Sequence, residues 1–229
     1  MSRRKKWNIV ILTIGVPLLI AAGVRLFHDR RYHLISLAIV LVACLPFFHF
    51  FEKKRTDTRT LVVVAVMTAL AVTGRFIFAP VPGFKPVTAL VILAGMYLGS
   101  EAGFLTGALS AVISNMFFGQ GPWTPFQMFA WGMIGLIAGL SFLRRLLRQK
   151  WILLAYGVFA GVLYSFLMDI WTVLSMDGGF RLSRYLVRMA SALPFTAAYA
   201  ASNVVFLWLI RKPLGDKLER LNIKYGIGG

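Results

Sequence analysis

The chain has 229 residues, of which 59% are hydrophobic and only 14% charged, and its mean hydropathy is +0.75. A soluble domain of this length keeps roughly a quarter of its residues charged around one core, so a soluble fold is excluded. Twenty-five basic against eight acidic residues give a net charge of +17; the bases cluster between apolar blocks, where they set orientation and attract anionic lipid, so no nucleic-acid partner is expected.

The apolar blocks approach the ~20 residues that cross a ~30 Å hydrocarbon layer, which predicts an all-α polytopic membrane protein. Continuous runs rather than short alternating segments exclude a transmembrane barrel. In chain order the first span covers 7–24. It follows "SRRKK" but has no small-residue cleavage site before "RLFHDRRYH", so it reads as an anchor rather than a signal peptide. The second covers 33–51 and holds Cys44, the chain's single cysteine, which leaves no internal disulfide or cysteine metal site. His28, His33 and His49 show no ligand spacing, and no metal or cofactor is expected.

Six further spans follow at 60–79, 86–99, 102–118, 125–143, 151–174 and 187–210. The 86–99 span is short, reaching about 21 Å at ~1.5 Å per residue. It extends through Phe84 and Glu101, tilts little, or enters partway. The chain thus divides into two N-terminal transmembrane helices over 1–55 and a six-helix core over 56–229 with a basic tail.

Basic clusters "RRKK", "EKKRTDTR", "RRLLRQK" and "RKPLGDKLER" fall on one side of this eight-span arrangement, and positive-inside bias places both termini in the cytoplasm. The three arginines of "RLFHDRRYH" face outward against that bias. The other side carries "APVPGFKP" (79–86), "GQGPWTP" (119–125) and "DGGF" (177–180), turns that proline and glycine make stiff. With Lys85, Gln120, Trp123, Thr124 and Gln127 they make either a preorganised ligand mouth or plain interhelical turns, with Trp123 and Trp131 in the interfacial aromatic belt.

Ionisable groups inside spans are costly. Arg75 and Asp169 both fall in the outer third. There a mutual ion pair, a ligand or, for Arg75, snorkelling offsets the cost. Asn115, Tyr164 and Trp171 lie at similar depth and complete a polar wall, whereas Asn203 is deeper and reads as interhelical glue. Small residues recur at spacing four in Gly103-x-x-x-Gly107-x-x-x-Ala111, Gly135-x-x-x-Gly139 and Gly157-x-x-x-Gly161, which predict close helix packing. Ala65-x-x-x-Ala69 reads either the same way or as a docking strip for a partner helix.

A phosphate loop of the G-x-x-x-x-G-K-[ST] type is absent. The scattered acids supply neither a metal-dependent lipid transferase nor a multi-carboxylate proton relay.

The stretch from Gly74 to Gly139, most specifically "GQGPWTPFQMFAWG" (119–132), resembles the substrate-binding S components of energy-coupling factor (ECF) transporters. The resemblance implies a six-helix core in a prokaryotic cell membrane that binds a vitamin or metal from outside and is not an enzyme. A transmembrane coupling protein and two ATPase subunits are the implied partners, with Ala65 and Ala69 matching the family's docking motif. The subgroup resembles S components of cobalamin uptake; a smaller vitamin, a queuosine precursor and a prenyl-type metabolite stay open. Metal is disfavoured, because "MSRRKK" lacks the N-terminal Met-His arrangement of nickel and cobalt S components. The candidate ligand residues, read from the loops and the polar groups inside the spans, are Arg75, Lys85, Asn115, Gln120, Trp123, Thr124, Gln127, Trp131, Tyr164 and Asp169. A small membrane enzyme acting on lipids and a structural membrane subunit are the alternatives.

Overall fold

The computed structural model describes residues 58–177 and 180–226. The two N-terminal spans, the outward arginines of 25–33 and the centre of the "DGGF" turn lie outside the described residues. The described chain is helical: α1 Thr58–Ile77, α2 Val87–Leu98, α3 Ser100–Phe118, α4 Thr124–Ala138, α5 Ser141–Leu146, α6 Lys150–Asp177 and α7 Leu182–Tyr225. Four of these, α1, α3, α6 and α7, are long and apolar enough to cross a membrane, while α2 and α4 are shorter. This is the all-α membrane architecture that composition and block length predict.

The short α2 sits at the centre. It is almost wholly buried and touches every other described helix. Its 12 residues reach only about 18 Å. Pro86 precedes its first turn, and Gly99 ends it with φ 103°, a conformation side-chain-bearing residues rarely adopt. The helix therefore extends through neither Phe84 nor Glu101, and α3 begins at Ser100. The last carbonyls of α2 need partners. Arg144 of α5 supplies one by donating from Nε to the carbonyl of Met96 at 2.9 Å, with its cation at the favourable helix end. That task explains why 125–143 is not one helix: the chain breaks after Ala138, and Leu140 is extended so that α5 can turn back under α2.

The small-residue repeats do what their spacing predicts. An added Cβ on Gly103 or Gly135 collides with the backbone of the other helix, so α3 and α4 touch main chain to main chain. Gly157 and Gly161 receive Asn203, Leu207 and Ala200 of α7 in the same way.

Two boundaries differ most from expectation. Helix α7 runs for 44 residues, about 66 Å, and includes the basic "RKPLGDKLER" stretch. Leu214, Leu218 and Leu221 turn that stretch onto the core while its charges face out. The "APVPGFKP" segment is a run of turns whose first half, 79–82, is exposed, while its Lys85 end is tied to α7. The Lys85 backbone N–H donates to Ser202 Oγ at 2.8 Å and the Ser202 hydroxyl donates to the Lys85 carbonyl at 3.0 Å. Ser202 lies 20 residues, about 30 Å, along α7 from its start.

Candidate functional site

The inward loop and the short α2 leave a cavity of about 150 Å3 beneath the ends of α1, α3 and α4. It is lined by the loop around Gly83 and Lys85, the first residues of α2, and side chains from α1, α4, α6 and α7. Sequence-predicted Arg75, Lys85, Gln127, Trp131 and Tyr164 all reach it.

A directed chain of hydrogen bonds crosses four helices beside this cavity. Arg75 of α1 donates from Nη1 to Ser114 Oγ and to Asn115 Oδ1 of α3, the latter at 2.8 Å. Asn115 Nδ2 donates to Gln127 Oε1 of α4 at 2.9 Å, and Gln127 Nε2 donates to the Tyr164 hydroxyl oxygen of α6 at 2.7 Å. A guanidinium only donates, so it fixes which end of the Asn115 amide faces it, and each later amide is oriented in turn. At the end of the chain, the Tyr164 O–H keeps its own hydrogen to donate. Arg75, Lys85 and Tyr164 therefore all offer donors to the cavity.

The apolar wall is aromatic. Trp131 and Tyr164 stack with centroids 5.2 Å apart and an 18° interplanar angle, and Tyr199 meets Tyr164 edge-on at 5.2 Å. The Arg75 guanidinium lies 5.3 Å from the Trp131 ring and 4.9 Å from that of Phe118, which spreads its charge over two π faces. No carboxylate lines the cavity among the described residues. In the loop, partial burial and the charge of Arg75 pull the Lys85 pKa below its ordinary value.

The other predicted residues do different work. Asn115 is buried behind the cavity as the junction of the chain, and its Nδ2 also donates to Thr124 Oγ1 at 2.9 Å. The Thr124 hydroxyl donates to Gln120 Oε1 at 2.9 Å, and Gln120 Nε2 donates to the Val112 carbonyl at 2.9 Å. Gln120 and Thr124 thus stitch the "GQGPWTP" turn to the end of α3. Trp123 is 38% exposed and folds over Gly121, away from the cavity lining. The mutual Arg75–Asp169 pair, one of the offsets open to these two groups, does not form: Arg188 Nε of α7 donates to Asp169 Oδ1 at 3.2 Å. Trp171 packs on Phe126 at 5.3 Å rather than completing a polar wall.

Sequence reasoning missed Thr88 and Tyr199 and placed Asn203 too deep; all three line the cavity. Asn203 also donates to the Gly157 carbonyl at 3.0 Å, so it is interhelical glue as well. Ala65 and Ala69 stand exposed on the outer face of α1, beside Val62, Val66 and Leu70, and none of these touches the cavity.

A family model described as ECF-type riboflavin transporter, S component, matches residues 55–220. No curated protein and no solved structure matches the chain.

Proposed function

The chain belongs to the ECF-type riboflavin transporter S-component family, and on that premise we propose that its cavity captures a small, flat, acceptor-rich vitamin from outside. Membership makes the protein a multi-pass membrane protein and the substrate-binding subunit of an ECF transporter. One observation carries the reading of the ligand: two cations and a spare tyrosyl O–H meet beside an aromatic stack, with no acid among the described residues to answer them. A partly buried guanidinium without a counter-charge is costly, and a ligand edge bearing carbonyls or an anionic group offsets that cost on binding. The stacked Trp131 and Tyr164 suit a planar ring.

Riboflavin, the vitamin in the family's name, has that chemistry: a flat ring system edged by carbonyls. Size argues against cobalamin, which the resemblance of the sequence put first. The cavity of about 150 Å3 is below the roughly 300 Å3 at the lower end of drug-sized sites. It admits one or two fused rings with the remainder directed to the mouth, and a corrin would require the surrounding helices to part.

In this reading Arg75, Lys85 and Tyr164 contact the ligand edge, Trp131 contacts its face, and Asn115 and Gln127 orient the donors. Ala65 and Ala69 form the strip on which a separate coupling protein docks, and that protein with two ATPases drives inward release. Both termini are cytoplasmic. Residues 1–55 form a two-helix addition ahead of the 56–229 core, a division supported by the family match starting at residue 55.

Titration calorimetry on the purified full chain tests the ligand. Saturable, stoichiometric riboflavin binding is expected. Binding of cobalamin with no response to riboflavin would reverse the assignment.

A further inference from the structure

The opposite end of the molecule holds a second, larger cleft of about 630 Å3, bounded by the last turn of α2, the start of α6 and the middle of α7. Four basic side chains line it against two acidic ones, leaving a surplus of two positive charges. Glu219 is spent on Arg148, whose Nη1 lies 3.0 Å from its carboxylate. Arg211 Nη2 donates to the Arg148 carbonyl at 3.4 Å, which holds its guanidinium over the cleft. Lys150 Nζ stands 5.1 Å from the Trp151 ring and 5.9 Å from the Trp208 ring, with Lys212 exposed on the following turn.

The two indoles decide what kind of anion suits this place. Trp151 is 75% exposed and Trp208 59% exposed, although both are large apolar rings on membrane-spanning helices. Trp151 opens α6, and Trp208 closes the apolar part of α7 just ahead of the basic stretch from Arg211; exposed tryptophans at such apolar ends sit at headgroup level, where one edge meets apolar carbon and the other meets polar groups. Trp208 lines the cationic hollow and Trp151 stands beside it against Lys150, so the hollow opens toward lipid as well as water. Basic pockets of this kind between helices recognise phosphate-bearing headgroups.

We propose that this cleft binds the phosphodiester headgroup of an anionic glycerophospholipid. Lys150, Arg211 and Lys212 take the phosphate, and Trp151 and Trp208 lie against the glycerol and first acyl carbons. The site is separate from the vitamin cavity and does not depend on which vitamin binds there.

Native mass spectrometry of the purified full chain, titrated with phosphatidylglycerol or phosphatidylcholine of matched chains, tests this. One phosphatidylglycerol should be retained, preferred by roughly thirtyfold, which is the surplus of two positive charges at about 1 kcal/mol per basic side chain near a lipid surface. The triple change Lys150→Gln, Arg211→Gln, Lys212→Gln should abolish the preference. A second triple change, Arg145→Gln, Lys217→Gln, Lys224→Gln, removes equal charge from the same end outside the cleft and should leave it intact. The single change Lys212→Gln, at an exposed position with no packing role, should weaken retention partway. Equal loss in both triple variants would mean diffuse attraction and overturn the site. Displacement of the lipid by millimolar inorganic phosphate would make it a free-anion site and overturn the lipid assignment. Retention unchanged by the cleft substitutions, with binding of the coupling protein lost, would make it a protein surface and also overturn it.

Discussion

Arg75 and Asn115 meet at 2.8 Å across α1 and α3, and this contact sets the polarity of the whole cavity wall. Because the arginine can only donate, Asn115 must present its oxygen there and its nitrogen to Gln127, which in turn commits the Tyr164 oxygen to accepting. Tyr164→Phe should therefore weaken riboflavin binding roughly threefold to tenfold, about 0.5–1.5 kcal/mol, the usual worth of one neutral hydrogen bond. Asn115→Asp should weaken it more, since the new carboxylate neutralises Arg75 and removes the donor to Gln127. Calorimetry on both variants checks the order; a phenylalanine variant binding as the wild type does would remove Tyr164 from the ligand edge.

Tryptophans 123 and 131 should separate cleanly. Trp131 is buried, stacks on Tyr164 and lines the cavity, whereas Trp123 is part-exposed over Gly121. Trp131→Ala should cost about 1–3 kcal/mol of affinity, the range for a buried aromatic contact. Trp123→Ala should change affinity less than twofold and lower thermal stability slightly, since its contacts are local to the turn. Greater loss of affinity from the Trp123 change would restore the turn as the ligand mouth.

The Asp169–Arg188 pair makes an asymmetric stability forecast. Asp169 is buried with Oδ2 unpartnered among the described residues, while the Arg188 side chain is 42% exposed. Arg188→Ala strands a buried carboxylate and should destabilise by roughly 1–3 kcal/mol, below the 3–5 of a fully buried pair because water already screens the arginine. Asp169→Asn leaves Arg188 free to reach water and should cost less. Adding Asp169→Asn to Arg188→Ala should recover stability. Thermal melts in detergent report the ranking, and a more damaging aspartate change would invert the argument.

What could be read from the sequence follows from how local each signal is. Arg75, Gln127 and Tyr164 stand out because polar groups are rare in apolar runs, Lys85 and Trp131 because they sit in or beside the stiff turns, and all five line one cavity. Their partners were less visible. Arg75 and Asp169 share a depth but not a helix interface, and hydropathy reports depth alone. Asn203 seemed too deep because depth was counted along a full-length bundle. The 12-residue α2 and its inward loop lower the cavity floor to the level of Ser202. Tyr199 carries no local motif; it enters the site only because α7 passes the loop at Gly83.

The last prediction concerns α1, whose outer face has no partner among the described helices at Val62, Ala65, Val66 and Ala69. Two alanines one turn apart keep that face low, so another helix could approach closely there. Its buried face, through Val64, Met67 and Ala71, already packs on α2 and α3, so the two faces have separable tasks. Ala65→Leu with Ala69→Leu raises the outer face without touching the cavity. Riboflavin affinity and melting temperature should stay within error of the wild type. Vitamin uptake by cells that also carry the coupling protein and ATPases should fall at least tenfold, as should copurification with the coupling protein. A joint loss of affinity and uptake would make the strip a folding element, and unchanged uptake would place the docking face elsewhere.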